Sequence, residues 1–194
     1  MEEIEAKWLD IDPKEIEKRL LKLGAVKKFD TVFRRKVFEF PGWLLNKQGA
    51  WLRVRDEGDK VTLGYKRRMG KGEGGIKGDV GMEEIEVEVS DFEKTAQIFY
   101  KLGMEDKFYE ENRRIEYEID GVKVDIDFWP LLKPYVELEG KNWEEVYSLA
   151  AKLELKKDEA KIMPTWEVYK LNGINEGDYE VLTFEKQIKR QVRL

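Results

Sequence analysis

Three short segments carry glutamates two residues apart: Glu3 and Glu5, Glu86 and Glu88, Glu137 and Glu139. In an extended strand residues i and i+2 lie on one face, so each pair aims two carboxylates the same way, while Ile85 and Val87, or Val136 and Leu138, face the other. Basic residues alternate too. Arg53 and Arg55 share a face, Lys7 continues the face of Glu3 and Glu5, and Lys66 and Arg114 fall on other strand-like segments. Like charges side by side repel, so a repeated carboxylate row makes sense where cations face it, either metal ions or Lys and Arg. The chemistry this suits is the holding of a polyanion and its counter-ions in a charged interior.

Composition narrows the chemistry further. The chain has 194 residues, 41% hydrophobic and 12% aromatic, enough for one large domain or two small ones with a real core. Charged residues make up 40% yet the net charge is only −5, so the two signs are nearly balanced, as in an ion-pair-rich surface or a cavity lined with both. Histidine and cysteine are both absent, which excludes disulfides, thiolate nucleophiles, a Ser-His-Asp triad and Cys/His zinc sites. Any metal must be held by oxygen, which points to Mg²⁺, Mn²⁺ or Ca²⁺. The opening Met1-Glu2-Glu3 is no basic, apolar leader and no apolar run reaches membrane-spanning length, so a soluble cytoplasmic protein is expected. A negative net charge without a separate basic stripe argues against nucleic acid as a partner.

The elements that must position these groups repeat. A strand from Glu3 to Leu9 precedes a helix capped by Asp12 with Pro13 at its first position, lined by Ile16, Leu20, Leu21 and Leu23 and stopped by Gly24. The second copy has Asp91 as cap, Phe92, Ala96, Ile98, Phe99 and Leu102 as stripe, and Gly103 as stop; the third has Asn142 with Val146, Leu149, Ala150 and Leu153. Between them, Thr31 to Phe40, Ala50 to Asp56, Lys60 to Arg67, Phe108 to Glu118 and Val122 to Phe128 read as strands, with hairpin signals at Asp56-Glu57-Gly58-Asp59 and Asp120-Gly121. Eight strands can close into a barrel. Amphipathic helices would cover its outside and leave the charged side concave. Met69 to Gly81 reads as a Gly- and Lys-rich loop, and the tail after Pro164 starts helical through Trp166 and Leu171. The fold expected is α+β: an eight-stranded antiparallel β-barrel with helices outside, one domain over residues 1–194 in which 164–194 form an extension over a barrel end.

The ordered set Glu3-Ile4-Glu5-Ala6-Lys7, Trp51-Leu52-Arg53-Val54-Arg55, Thr62 to Lys66, Glu84 to Glu88, Arg114-Ile115-Glu116-Tyr117, Asp125-Ile126-Asp127 and Pro134 to Gly140 resembles the CYTH superfamily, the triphosphate tunnel metalloenzymes. That superfamily includes class IV adenylate cyclases, thiamine triphosphatases and inorganic triphosphatases. The resemblance covers about residues 1–160 and implies a tunnel in which basic residues hold a triphosphate and acidic ones bind Mg²⁺ or Mn²⁺. Carried over, Lys7, Arg53, Arg55, Lys66 and Arg114 would grip phosphate oxygens. Glu3, Glu5, Glu137 and Glu139 would be metal ligands, with Asp127 and Glu86 beside them, and Glu5, Lys7 and Glu137 would carry catalysis.

Two expected cations are missing: Met82 stands where the fifth strand usually has arginine, and Asn112 where the sixth has lysine. Arg113 and Lys123 would compensate only under a different register. The implied function is a metal-dependent hydrolase of triphosphates, inorganic or nucleoside. The alternatives are an adenylate cyclase releasing pyrophosphate from ATP and, given Met82 and Asn112, a non-catalytic binder of polyphosphate or another phosphorylated ligand. Trp43 and Trp129 are expected to be exposed, supporting either a homodimer or a cap over the tunnel mouth.

Overall fold

A computed structural model describes residues 4–68 and 82–190. Along the chain run β1 (Ile4–Trp8), α1 (Pro13–Lys22), β2 (Val26–Glu39), α2 (Leu44–Lys47), β3 (Ala50–Asp56), β4 (Val61–Arg68), β5 (Met82–Val89), α3 (Phe92–Lys101), β6 (Glu105–Ile119), β7 (Val122–Phe128), β8 (Tyr135–Gly140), α4 (Trp143–Lys152), α5 (Thr165–Leu171), β9 (Tyr179–Leu182) and β10 (Gln187–Lys189). The three expected helix starts are made by the expected atoms. Asp12 accepts from the amides of Lys14 and Glu15, Asp91 from that of Lys94, and Asn142 from that of Glu145, each satisfying donors that a helix N-terminus leaves free. The expected loop at Met69 to Gly81 and the N-terminal Glu3 lie outside the described residues.

The ladder order is β1-β8-β7-β6-β2-β3-β4-β5, with β1–β8, β8–β7, β7–β6, β2–β3, β3–β4 and β4–β5 antiparallel. The path ends at β1 and β5, and among the described residues no ladder joins these two. The fold is thus an α+β antiparallel sheet with helices.

The chain forms two compact units. The first comprises Met1–Val32 and Asn112–Glu176. Its core lies on one face of β1, β8, β7 and the second half of β6, where Ala6, Trp8, Ile115, Tyr117, Val124, Ile126, Val136 and Leu138 meet Ile16 and Leu20 of α1 and Val146, Leu149, Ala150 and Leu153 at α4. The α4 stripe is buried as its spacing predicts. In α1, Leu21 stays 61% exposed because it lies about 100° around the helix from Leu20. Trp129 is buried, edge-on to Tyr169 of α5, so it is no exposed aromatic; Tyr169 is itself fixed by donating to the Pro130 carbonyl at 2.9 Å.

The second unit comprises Phe33–Glu111 and Gly177–Leu194. Phe38 and Val54 pack with Phe92, Ala96 and Met104, and β9 runs parallel to the first half of β6, with β10 antiparallel beside β9. The helix α3 covers this core but leaves β5 uncovered. Ile85 and Val87, expected beneath a helix, are 60% and 51% exposed, and Ile98 and Leu102 of α3 are exposed as well. Trp43 is exposed, as expected, in a left-handed backbone conformation before α2. Its helix is held by Glu39, a buried carboxylate that accepts from the amides of Phe40, Leu45 and Asn46.

Candidate functional site

In the first unit the face opposite the core carries the charges. Register places Glu5 across from Glu139 and Glu139 across from Lys123; the next row is Lys7, Glu137, Asp125 and Glu116; a third is Tyr135, Asp127 and Arg114. The apolar residues between them are those buried under α1 and α4, so the alternation of each strand fixes which side the carboxylates take. Glu5, Glu137 and Glu139 each offer a carboxylate oxygen within 4.8 Å of the others. Lys7, 3% exposed, bridges two of them, with its Nζ 2.6 Å from Glu137 and 2.9 Å from Glu5. Burial opposes its charge, but Glu137 and then Glu5 outweigh that and hold its pKa above the ordinary lysine value.

Arg114, an expected phosphate ligand, is paired with two aspartates of its own unit. Its Nε and Nη2 donate to the two oxygens of Asp127 at 2.8 and 2.7 Å, and Nη1 lies 2.6 Å from Asp125 Oδ2. Desolvation works against this guanidinium, yet Asp127 foremost, then Asp125, raise its pKa well above the usual value. Asp127 is therefore committed to Arg114, with Asn112 Nδ2 also donating to it at 3.4 Å. Asp125, absent from the expected ligand set, is 1% exposed, and burial pushes its carboxyl up to about 7 against the pull of Arg114 and Lys123. Its Oδ1 is buried without a hydrogen-bond partner. Strand parity was the signal for it, since Lys123, Asp125 and Asp127 alternate along β7. For the same reason Lys123 faces the carboxylates in the regular register, with no shift required, while Arg113 points away and pairs with Asp30.

In the second unit the face opposite the core carries Arg35, Arg53, Arg55 and Lys66, each with a carboxylate partner. Lys66 Nζ lies 2.6 Å from Glu84, directly across the ladder; Arg53 lies 3.7 Å from Glu86; Arg35 lies 3.5 Å from Glu110; and Arg55 Nε donates to Glu57 at 2.6 Å. Arg53 reaches Glu86 across Gly64, the residue paired to both, which has no side chain in the way. Burial, followed by the neighbouring guanidinium groups of Arg55 and Arg35, pushes the Arg53 pKa down to about 10. Arg53 is thus charged at an electrostatic cost that an anion would relieve. Buried Glu110 is pushed up by desolvation against Arg35 and Arg53. Glu57, in the β3–β4 hairpin, and Glu110 are partners that sequence reading did not assign. The expected ligand Glu86 is paired with Arg53, a cation of its own unit.

The CYTH domain model matches residues 1–165. The chain belongs to the CYTH family. Similar solved structures include a conserved hypothetical protein from Pyrococcus furiosus at 21% identity, covering 82% of this chain and 95% of that one with a TM-score of 0.59. Another is a Vibrio parahaemolyticus protein described as a "putative adenylate cyclase", at 13% identity, 87% and 97% coverage and a TM-score of 0.65. A third, from Hippeastrum, at 16% identity, 89% and 97% coverage and a TM-score of 0.56, is a "putative adenylyl cyclase" described as having a dominant triphosphatase activity. At these identities the likeness shows the CYTH fold. No curated protein matches the chain. CYTH proteins are metal-dependent and bind triphosphates, and the first unit fits a divalent ion: its donors are all hard carboxylate oxygens, three of them already converge, and the unpartnered Asp125 Oδ1 adds donor capacity. No helix among the described residues is long and apolar enough to cross a membrane.

Proposed function

We propose that the chain is a metal-dependent hydrolase of triphosphates, inorganic or nucleoside. The observation that carries this reading is the convergence of Glu5, Glu137 and Glu139 within 4.8 Å, bridged by the ammonium of Lys7. These carboxylates would hold Mg²⁺ or Mn²⁺, which when bound supplies charge neutralisation at phosphoryl oxygens and lowers the pKa of water. Lys7 holds Glu5 and Glu137 in place and screens their mutual repulsion. Arg114 holds Asp125 and Asp127 in place beside them. Arg53, Arg55 and Lys66 would take phosphate oxygens, exchanging Glu86, Glu57 and Glu84 for a ligand of higher charge density, with guanidinium forks suited to two-point contacts. Charge stabilisation of this kind dominates phosphoryl transfer.

The test incubates the full chain with Mg²⁺ or Mn²⁺ and inorganic triphosphate or ATP and resolves all products by chromatography, with Glu137→Gln as control. Orthophosphate that disappears in the control is the expected result. Cyclic AMP with pyrophosphate would replace the hydrolase reading with a cyclase, and tight binding without product would replace it with a phosphorylated-ligand binder.

A further inference from the structure

Among the described residues the charged face of the first unit carries seven carboxylates, Glu5, Glu116, Glu118, Asp125, Asp127, Glu137 and Glu139; Glu118 pairs with Lys28, and Lys7, Arg114 and Lys123 face the other six. Two of those cations have evident duties: Lys7 bridges Glu5 and Glu137, and Arg114 clamps Asp125 and Asp127. The third is surrounded differently. Lys123 Nζ lies 3.3 Å from Glu139, 3.4 Å from Asp125 and 3.9 Å from Glu116, so a single ammonium gathers carboxylates from three strands. We propose that Lys123 is a resident counter-ion standing where a second divalent cation would otherwise bind, so that this face takes one divalent ion per chain. The inference rests on the metal-binding reading of Glu5, Glu137 and Glu139.

The donor arrangement supports it. Glu139 belongs both to the converging carboxylate group and to the Lys123 cluster, so the ammonium lies beside the carboxylates that would hold the ion. Asp125 adds Oδ2 to the ammonium while its buried Oδ1 has no hydrogen-bond partner, leaving one oxygen that the lysine does not satisfy. An ammonium is a point donor with no geometric demand on its ligands. It can therefore hold these oxygens at more than 3 Å, whereas Mg²⁺ or Mn²⁺ would draw them in to roughly 2.1 Å. Removing the charge at position 123 leaves three carboxylates with one cation fewer and room for an ion.

The test counts bound Mn²⁺ on the chelator-stripped full chain, by calorimetry and by the loss of the free-ion magnetic resonance signal. Wild type and Lys123→Arg should bind one ion; Lys123→Gln and Lys123→Met should bind two, with the broadened spectrum of a coupled pair. Two ions in wild type, or one in both neutral variants, would overturn the inference while leaving the metal site standing. Should either neutral variant fail to fold, as judged by circular dichroism, the other and the wild-type count still decide. If wild type binds none, or if Glu137→Gln binds as wild type does, the metal-binding reading itself fails and the inference with it.

Discussion

Arg114→Ala tests whether the charged face is held together by internal ion pairs or only by its ligands. Asp127 and Asp125 are 0% and 1% exposed, and Arg114 supplies three contacts of 2.6–2.8 Å to them. Deleting one partner of a buried pair leaves uncompensated charge and costs about 3–5 kcal/mol. In a chain of this size each kcal/mol moves the melting temperature by about 2–4 °C, so the variant should melt about 6–20 °C lower. The assay is thermal and urea unfolding in EDTA, which removes any contribution of bound metal. A second substitution distinguishes this cause from simple loss of packing. Asp127→Asn in the Arg114→Ala background removes one stranded charge, so the double variant should be more stable than the single by about 1–3 kcal/mol, a coupling of the size that contacting groups show. A loss below about 1 kcal/mol for Arg114→Ala, or a double variant less stable than the single, would refute the argument.

Three further outcomes are expected. Arg53→Ala should weaken triphosphate binding about 10–100-fold, the equivalent of one charge-assisted contact, as measured by calorimetry with Mg²⁺, without changing the Mn²⁺ count. Gly140→Ala places a Cβ 3.2 Å from Cγ2 of the fully buried Val146, which must give by a few tenths of an ångström in a packed core. A cost of about 1–3 kcal/mol should appear in urea unfolding. Asp30 is held below its ordinary pKa, first by its hydrogen bonds from Arg113 and then by Lys27. Its stabilisation is present above the unfolded carboxyl pKa and is lost as pH falls through the lower folded value. Asp30→Asn should therefore be less stable than wild type at neutral pH, by at most about 1 kcal/mol for so exposed a pair, and the two unfolding curves should converge on acidification.

The strand parity of the charged face was legible residue by residue. Ala6, Val124, Ile126, Val136 and Leu138 are buried and Glu5, Lys7, Asp125, Asp127, Glu137 and Glu139 lie opposite, because alternation is a local property of a half-buried strand. The caps at Asp12, Asp91 and Asn142 were legible for the same reason. What escaped was pairing. Arg114 reads as a phosphate ligand from its own segment, and the aligned ladders also give its fork Asp127 and Asp125 as partners; Lys123 reads as usable only after a register change, yet faces the carboxylates without one. Partner choice depends on which rows the ladders align, which no single segment encodes. Helix stripes were overread in α1 and α3: Leu21, Ile98 and Leu102 suit the period, but only part of each face finds a strand to cover. Trp129 escaped because its burial depends on Tyr169, forty residues further on.

The last strand of the ladder path has a use beyond ligand chemistry. β5 is paired only to β4 among the described strands and presents Ile85 and Val87 to solvent, the profile of a segment that recruits other chains into shared sheets. Glu83, Glu84, Glu86 and Glu88 alternate with or flank these residues, acting as gatekeepers whose mutual repulsion across any two stacked copies discourages aggregation. Selection for solubility and selection for a charged face thus act on the same glutamates. Neutralising several of them at once to probe ligand binding would also remove colloidal protection, and light scattering belongs beside every such measurement.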